Sequence, residues 1–369
     1  MSKRIIVCVV PSLMLSTWLS AFGQGGERGR GAPTTQTTSP LPDNPQSLAH
    51  IAAAKKMANG DPVLMTPVNF FCAPVDYNKP GPELEPMKVF DNLYAIPSSP
   101  VQQTTIWAIT TRDGIILIDS GQQGRTEAIL AGLMKVGLDP AKVKYILLGH
   151  GHGDHFANAP YFQERYGTKV GAAAKDWDLM WPANPPANRG NNPGQQPPKR
   201  DLVLQEGTPV KLGEETVTIV EIPGHTPGSL AFIFEVRENG KKHTAGLYGG
   251  TILDQGRITT EGLKQYIQSV NHYLETAKKM KVDVEIQNHA LFDATPDRLA
   301  KLKGRKPGDP NPFLMTTDKY VKFWNIVSEC IQADIARRPP RSQQLKLPHA
   351  VIPIRLDRLT IQPTYSFSD

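Results

Sequence analysis

Apolar positions along this chain fall into two repeating patterns. Thr104–Thr110 and Gly114–Ile118 are short stretches rich in β-branched residues and predict strands. Ile129, Leu130, Leu133 and Val136 then recur at helical spacing and stop at Gly137, which predicts an amphipathic helix with a glycine at its end. The run Val143–Leu148 predicts a buried strand, followed by a helix around Phe156–Tyr166 and a strand at Val170–Ala173. Further strands are predicted at Thr216–Val220, Leu230–Val236 and Thr244–Tyr248, with Glu238-Asn239-Gly240 as a hairpin turn. A helix through Leu263–Lys281, a short alternating strand at Val282–Ile286 and a long helical pattern up to Ile335 complete the body. Two β-rich halves with helices outside predict an α/β sandwich, and the length suffices for one large domain with a real core.

The ends read differently. Lys3 and Arg4 precede an apolar stretch from Ile5 to Leu19, and Ala21-Phe22-Gly23 offers small residues for cleavage, so residues 1–23 are expected to be a signal peptide and not a membrane anchor. That places the protein in the periplasm or outside the cell. Residues 24–45 lack apolar periodicity and predict a disordered leader. An N-terminal extension, 46–85, should hold a short helix at Pro45–Asn59 and an irregular, Pro-rich segment at Asp61–Pro86. Trp177–Lys199 is an insert rich in Pro, Gly and Asn, readable as a lid over a pocket or as a mobile surface loop. The tail, 339–369, alternates around Val351–Leu359 as an edge strand or strap would. Export leaves Cys72 and Cys330 as the only cysteines, either paired or as two buried thiols.

The chemistry is concentrated in Gly149-His150-Gly151-His152-Gly153-Asp154-His155. Four metal-ligating side chains within six residues, on the C-terminal edge of a predicted buried strand, form a zinc-site signature. Alternation points His150 and His152 the same way, with Asp154 and His155 on the turn beyond, so one segment can serve two neighbouring metals. Two more histidines follow predicted strands: His225 in Pro223-Gly224-His225-Thr226-Pro227-Gly228, and His289 after Val282–Ile286.

In this order the motifs resemble the metallo-β-lactamase superfamily of zinc hydrolases. Gly114–Gly121 also resembles that family's strand-turn segment, whose Asp braces the metal loop, and the resemblance covers roughly residues 86–338. It implies the αββα sandwich of the metallo-β-lactamase fold and two zinc ions per chain. His150, His152 and His225 would hold one ion, and Asp154, His155 and His289 the other. Asp119 would orient ligands from behind, the alternative being an ordinary turn-capping Asp. Many of these hydrolases, including glyoxalase II-like enzymes and lactonases, place a bridging Asp after a later Gly. This chain reads Tyr248-Gly249-Gly250-Thr251-Ile252-Leu253 there, which resembles the third lactamase subclass, whose ligands are only His and Asp. The stretch Phe292–Phe313 and the final helix resemble that subclass as well.

The implied reaction is hydrolysis of a small molecule, with β-lactam amide opening as the leading expectation, Asp154 catalytic, and Thr251 contributing a hydroxyl to the substrate carboxylate. Lactones or other small esters and amides are the first alternative, and a zinc-holding protein without turnover is an alternative of another class. No Gly-x-Ser-x-Gly elbow is present, so a serine nucleophile is not expected. The formal charge of +6 falls by two when Lys3 and Arg4 leave, too little and too dispersed for nucleic-acid binding. Oligomeric state is not legible.

Overall fold

The computed structural model describes residues 41–73, 75, 79–182, 196–253 and 258–338, so the expected signal peptide, most of the leader and the tail lie outside the described residues. The elements in chain order are α1 (Pro45–Ala58), α2 (Pro62–Phe71), β1 (Met87–Phe90), β2 (Leu93–Pro97), β3 (Thr105–Thr111), β4 (Gly114–Ile118), α3 (Thr126–Lys135) and β5 (Val143–Leu147). Then come α4 (Gly153–Phe156), α5 (Ala159–Tyr166), β6 (Lys169–Ala173), α6 (Ala174–Met180), β7 (Leu202–Leu204), β8 (Val210–Leu212), β9 (Glu215–Glu221) and β10 (Leu230–Glu238). β11 (Lys241–Tyr248), α7 (Thr260–Lys279), β12 (Val284–Ile286), α8 (Thr295–Lys303) and α9 (Thr317–Arg337) complete the fold.

Strands buried on both faces must lie between other layers, and the burial pattern says which. In β4, Ile116 and Ile118 face a core shared with Phe232, Phe234 and Leu247 of the opposite sheet, whereas Ile115 and Leu117 pack with Ile129, Leu133 and Phe162 of the covering helices. The second sheet has its own outer core, where Val220, Ala231 and Tyr248 meet residues of α1, α2, α7 and α9. The result is the αββα sandwich, with one sheet ordered β1-β2-β3-β4-β5-β6-β7 and the other β12-β11-β10-β9-β8. β4, β5 and β6 are parallel, as are β11 and β12, so these strand ends collect at one edge of the sandwich.

Three expectations need correction. The segment after Asp61 is not irregular throughout, since α2 occupies its first half. Asp61 caps the helix by accepting from the Val63 and Leu64 amides, and Pro62 stands where no amide hydrogen is required. Pro67 leaves the Val63 carbonyl without its usual donor, and the Thr66 hydroxyl fills that role at 2.6 Å. The helix predicted over Phe156–Tyr166 is α5, which starts three residues later at Ala159, with the one-turn α4 ending at Phe156 before it. The insert begins later than Trp177, which is buried in α6 and donates to the Leu202 carbonyl at 2.7 Å. Much of the remaining insert, 183–195, lies outside the described residues.

Cys72, at the end of α2, is disulfide-bonded to Cys330 of α9, with Cα atoms 4.8 Å apart. The N-terminal extension is thereby tied to the last helix. Among the described residues no helix is long and apolar enough to cross a membrane.

Candidate metal centre

The parallel strand ends converge because two glycines let the sheets touch. A Cβ on Gly149 would stand 3.0 Å from the Gly249 Cα, and one on Gly249 would stand 2.6 Å from the Gly149 Cα. At this contact the Leu230 amide donates to Gly149 O at 2.8 Å and the Gly249 amide to Leu230 O at 3.0 Å. The Gly249 carbonyl, so placed, accepts from His150 Nδ1 at 2.6 Å and from Asn288 Nδ2 at 2.9 Å.

The six side chains singled out in the sequence come together as two adjoining groups. His225 Nε2 lies 3.0 Å from His150 Nε2 and 3.0 Å from His152 Nδ1. Beside them, His155 Nε2 is 3.1 Å from His289 Nε2, and Asp154 Oδ2 is 3.3 Å from the first and 3.7 Å from the second. A tetrahedral ion with bonds of ~2.0–2.1 Å sets its ligand atoms roughly 3.3 Å apart, so these spacings suit such an ion in each group. Exposure grades across the pair. His152 is exposed and His225 half-buried, whereas His150, His155 and His289 are buried, so the first group faces solvent.

Outer contacts hold the rings in place. His150 Nδ1 is committed to Gly249 O, His155 Nδ1 to Asp119 Oδ2 at 2.8 Å and His289 Nδ1 to Gln102 O at 2.9 Å. In each ring Nε2 is left to face inward, the arrangement that second partners impose on metal-ligating histidines. Burial and the neighbouring histidines push His150 and His225 well below the usual histidine range, and burial with His155 lowers His289 to about 4, so these three rings are neutral donors of electron pairs. His155 behaves oppositely. Burial disfavours its charge, but Asp154 and Asp119 outweigh that and hold its pKa up at about 10, so a cation held there would have to displace the Nε2 proton. Burial likewise opposes ionisation of Asp154, yet the charge and hydrogen bond of His155 hold its carboxyl well below the usual range.

Asp119 sits at the end of β4 at φ 65°, a left-handed conformation that Asp tolerates better than most residues. Besides His155 it accepts from the Gly149 amide at 2.7 Å and from Asn288 Nδ2 at 3.1 Å. It therefore braces the start of the histidine loop and one of its rings together.

Asp176 has the same role on the other side, and no motif announced it. Fully buried in the first turn of α6, it accepts from the Gly151 amide at 2.7 Å, the Thr226 hydroxyl at 2.7 Å and the Gly228 amide at 2.8 Å. One carboxylate thus ties the loop of His150 and His152 to the turn of His225. Burial raises its pKa, with these three hydrogen bonds and His152 working against the rise. Asn288, beside His289, is the second residue that sequence reasoning missed.

Two positions after β11 bear on substrate. A Cβ on Gly250 would lie 2.9 Å from the His225 Cβ and 2.8 Å from Ser229 Oγ, so no side chain fits at this corner. Thr251 is 1% exposed, and its hydroxyl has no hydrogen-bond partner among the described residues.

A two-sheet sandwich with a histidine-rich centre at the edge where its strands converge is the architecture of a metallohydrolase. The family model described as the metallo-beta-lactamase superfamily matches residues 99–238. A hydroxyacylglutathione hydrolase of Cereibacter sphaeroides is 30% identical over 139 residues, 37% of this chain and 48% of its own length, so the match spans about half of that relative. The hydroxyacylglutathione hydrolase GloC of Haemophilus influenzae is 30% identical over 169 residues, 45% of this chain and 74% of the relative. Among solved structures, the subclass B3 metallo-beta-lactamase BJP-1 of Bradyrhizobium japonicum superposes with a TM-score of 0.59 at 25% identity, covering 71% of this chain and 96% of that one. The metallo-beta-lactamase FEZ-1 of Legionella gormanii, at 22% identity, shares the fold with a TM-score of 0.57 over 73% of this chain and 98% of its own. The chain belongs to the metallo-β-lactamase superfamily of hydrolases.

Proposed function

We propose that this protein is an exported di-zinc hydrolase that opens the amide of a β-lactam. The observation that carries the substrate reading is the corner at Gly250. In the segment after β11 where the resemblance places the bridging Asp of glyoxalase II-like enzymes, this chain has Gly250, and a Cβ there would already meet His225 and Ser229. The ligand set is then only His and Asp, as the resemblance to the third lactamase subclass implies, and the structural neighbour BJP-1 is a subclass B3 metallo-beta-lactamase. A second reading, hydrolysis of a thioester, is favoured by the curated relatives, which are hydroxyacylglutathione hydrolases.

The donor set suits zinc, which favours imidazole nitrogen with carboxylate oxygen at low coordination number. His150, His152 and His225 would hold one ion and Asp154, His155 and His289 the other. Two zinc ions bound there would make a water nucleophilic near neutral pH and polarise the substrate carbonyl. The protein's own part is positioning and proton transfer. Asp154, 23% exposed and kept ionised beside His155, would orient the attacking water, take up its proton and hand it to the departing nitrogen. Asp119 and Asp176 would keep both loops at their spacing while charge moves. Export is supported by the apolar N-terminal stretch and by the Cys72–Cys330 disulfide. The test is spectrophotometric: a cephalosporin is hydrolysed by the zinc-loaded protein, the activity disappears with a chelator and returns with zinc. Activity that survives metal removal would exclude the reading.

A further inference from the structure

α2 depends on its neighbours. It has ten residues with Pro67 inside it, and a helix of that length is marginal in water without packing partners. Two pins join it to α9: Asp61 accepts from Lys319 Nζ at 2.7 Å at its start, and Cys72 is bonded to Cys330 at its end. The pins are equally spaced along both chains, from Asp61 to Cys72 and from Lys319 to Cys330, so the helices run side by side in the same direction. The ion pair is partly exposed and holds weakly, which leaves the disulfide as the firm pin.

Between them the two helices grip one ring. Phe292, fully buried, meets Phe70 and Phe71 of α2 edge-on at centroid distances of 5.6 and 5.3 Å, and Phe323 and Trp324 of α9 at 5.4 and 5.8 Å. Phe292 closes the turn that carries His289, its amide donating to the His289 carbonyl at 3.0 Å. The other side of this turn is fastened to the approach to β3, where the Ala290 amide donates to Gln103 O at 2.8 Å and His289 Nδ1 to Gln102 O at 2.9 Å. That support is itself strained. Gln102 and Gln103 both stand at positive φ, 57° and 47°, a conformation that persists only where the surroundings hold it.

We propose that the Cys72–Cys330 disulfide positions His289: by holding α2 against Phe292 it fixes the turn from His289 to Phe292, and with it the group formed by Asp154, His155 and His289. The first group is braced otherwise, by Asp176 and by the Gly249 carbonyl. α9 also packs on Tyr248, next to Gly249, and shares a core with α1 and α7 that keeps it in place, so the release of α2 is what separates the two groups. The inference rests on the zinc reading of the centre.

The test compares the full chain with its Cys72→Ala/Cys330→Ala variant by two readouts. One is the pair of zinc affinities from competition with a chromogenic chelator, and the other is amide hydrogen exchange of residues 287–293 and 149–155 in metal-free protein. Loss of the disulfide is expected to weaken one zinc site about tenfold and leave the other within about twofold. Exchange should quicken at Ala290 and Phe292 but not in 149–155. The weakened site is identified by adding His225→Ala, in which it is the site that remains. Phe292→Leu, with the disulfide intact, should reproduce the weakening, and adding it to the cysteine variant should change little further, because both act through one ring. Two unchanged affinities, equal weakening of both sites, or full additivity of Phe292→Leu with the cysteine substitutions would overturn the proposal. An unaltered protein that takes up no zinc strikes the reading of the centre, whereas two sites filled equally well in both proteins strike the role of the disulfide.

Discussion

Asp176→Asn tests whether the two halves of the first metal group are held in register by one carboxylate. Its Oδ1 accepts from Gly228 N and its Oδ2 from both Gly151 N and Thr226 Oγ1, all at 2.7–2.8 Å and out of water. An asparagine keeps only one oxygen, so its NH₂ must face a backbone amide on one side. The Thr226 hydroxyl can reverse and accept, but neither Gly151 N nor Gly228 N can. One buried donor is orphaned, at about 1–3 kcal/mol, and a charge-assisted hydrogen bond becomes neutral or is lost. Asp176→Ala orphans all three donors and is expected to cost about 3–5 kcal/mol, a large part of a typical total stability, which makes Asn the informative variant. Because Gly151 lies between His150 and His152 and Thr226 follows His225, the strain reaches the ligands directly. Loss of such a supporting partner typically weakens metal binding about 10–100-fold. The assay is competition with a chromogenic chelator, which resolves two zinc affinities, together with urea unfolding. The expected result is selective weakening of the group formed by His150, His152 and His225. Unchanged affinities with an unchanged unfolding midpoint would refute the positioning role of Asp176.

The two metal groups should also separate by mutation of their ligands. His225→Ala should empty the first group and leave about one zinc ion per chain by elemental analysis. Asp154→Asn should weaken the second group and cost more in kcat, because the same carboxylate handles the proton; equal zinc content with undiminished activity would reverse that assignment. Away from the centre, burial raises the pKa of Asp293 to about 6 against the opposing charge of Arg298. The unfolded chain loses this proton near pH 4 and the folded one near 6, so the native state binds more protons in between and stability falls as pH rises through that window. The loss amounts to about 3 kcal/mol. Asp293→Asn should flatten urea midpoints between pH 4 and 6, and an identical slope in both proteins would show that another group governs it.

How far the sequence could be read follows from what each feature depends on. His150, His152, Asp154 and His155 are legible because metal ligation restricts residue type and one short loop supplies four of them. The sandwich is legible because β4 and the first half of β10, Leu230–Phe234, are continuously apolar and buried on both faces. Asp176 was not legible, since its partners lie 25 to 52 residues away and are mostly backbone amides, which leave no mark in sequence. An acidic residue opening a helix just after a strand was the only available hint. Gly149 and Gly249 look like ordinary turn residues until the sheets are seen to meet there. α2 was hidden by its prolines, because the hydroxyl of Thr66 that compensates Pro67 acts through geometry and not through pattern.

The central claim is that a His/Asp-only zinc centre, with no room at Gly250 for another carboxylate, selects a β-lactam amide over a thioester. Parallel determination of kcat/KM for a cephalosporin and for a hydroxyacylglutathione thioester on the same zinc-loaded preparation, with a homoserine lactone as a third substrate, tests it most directly. The account predicts that the cephalosporin is hydrolysed at least tenfold more efficiently than either ester, and that chelation abolishes all measurable turnover. A preference for the thioester, or for the lactone, by the same margin would contradict it.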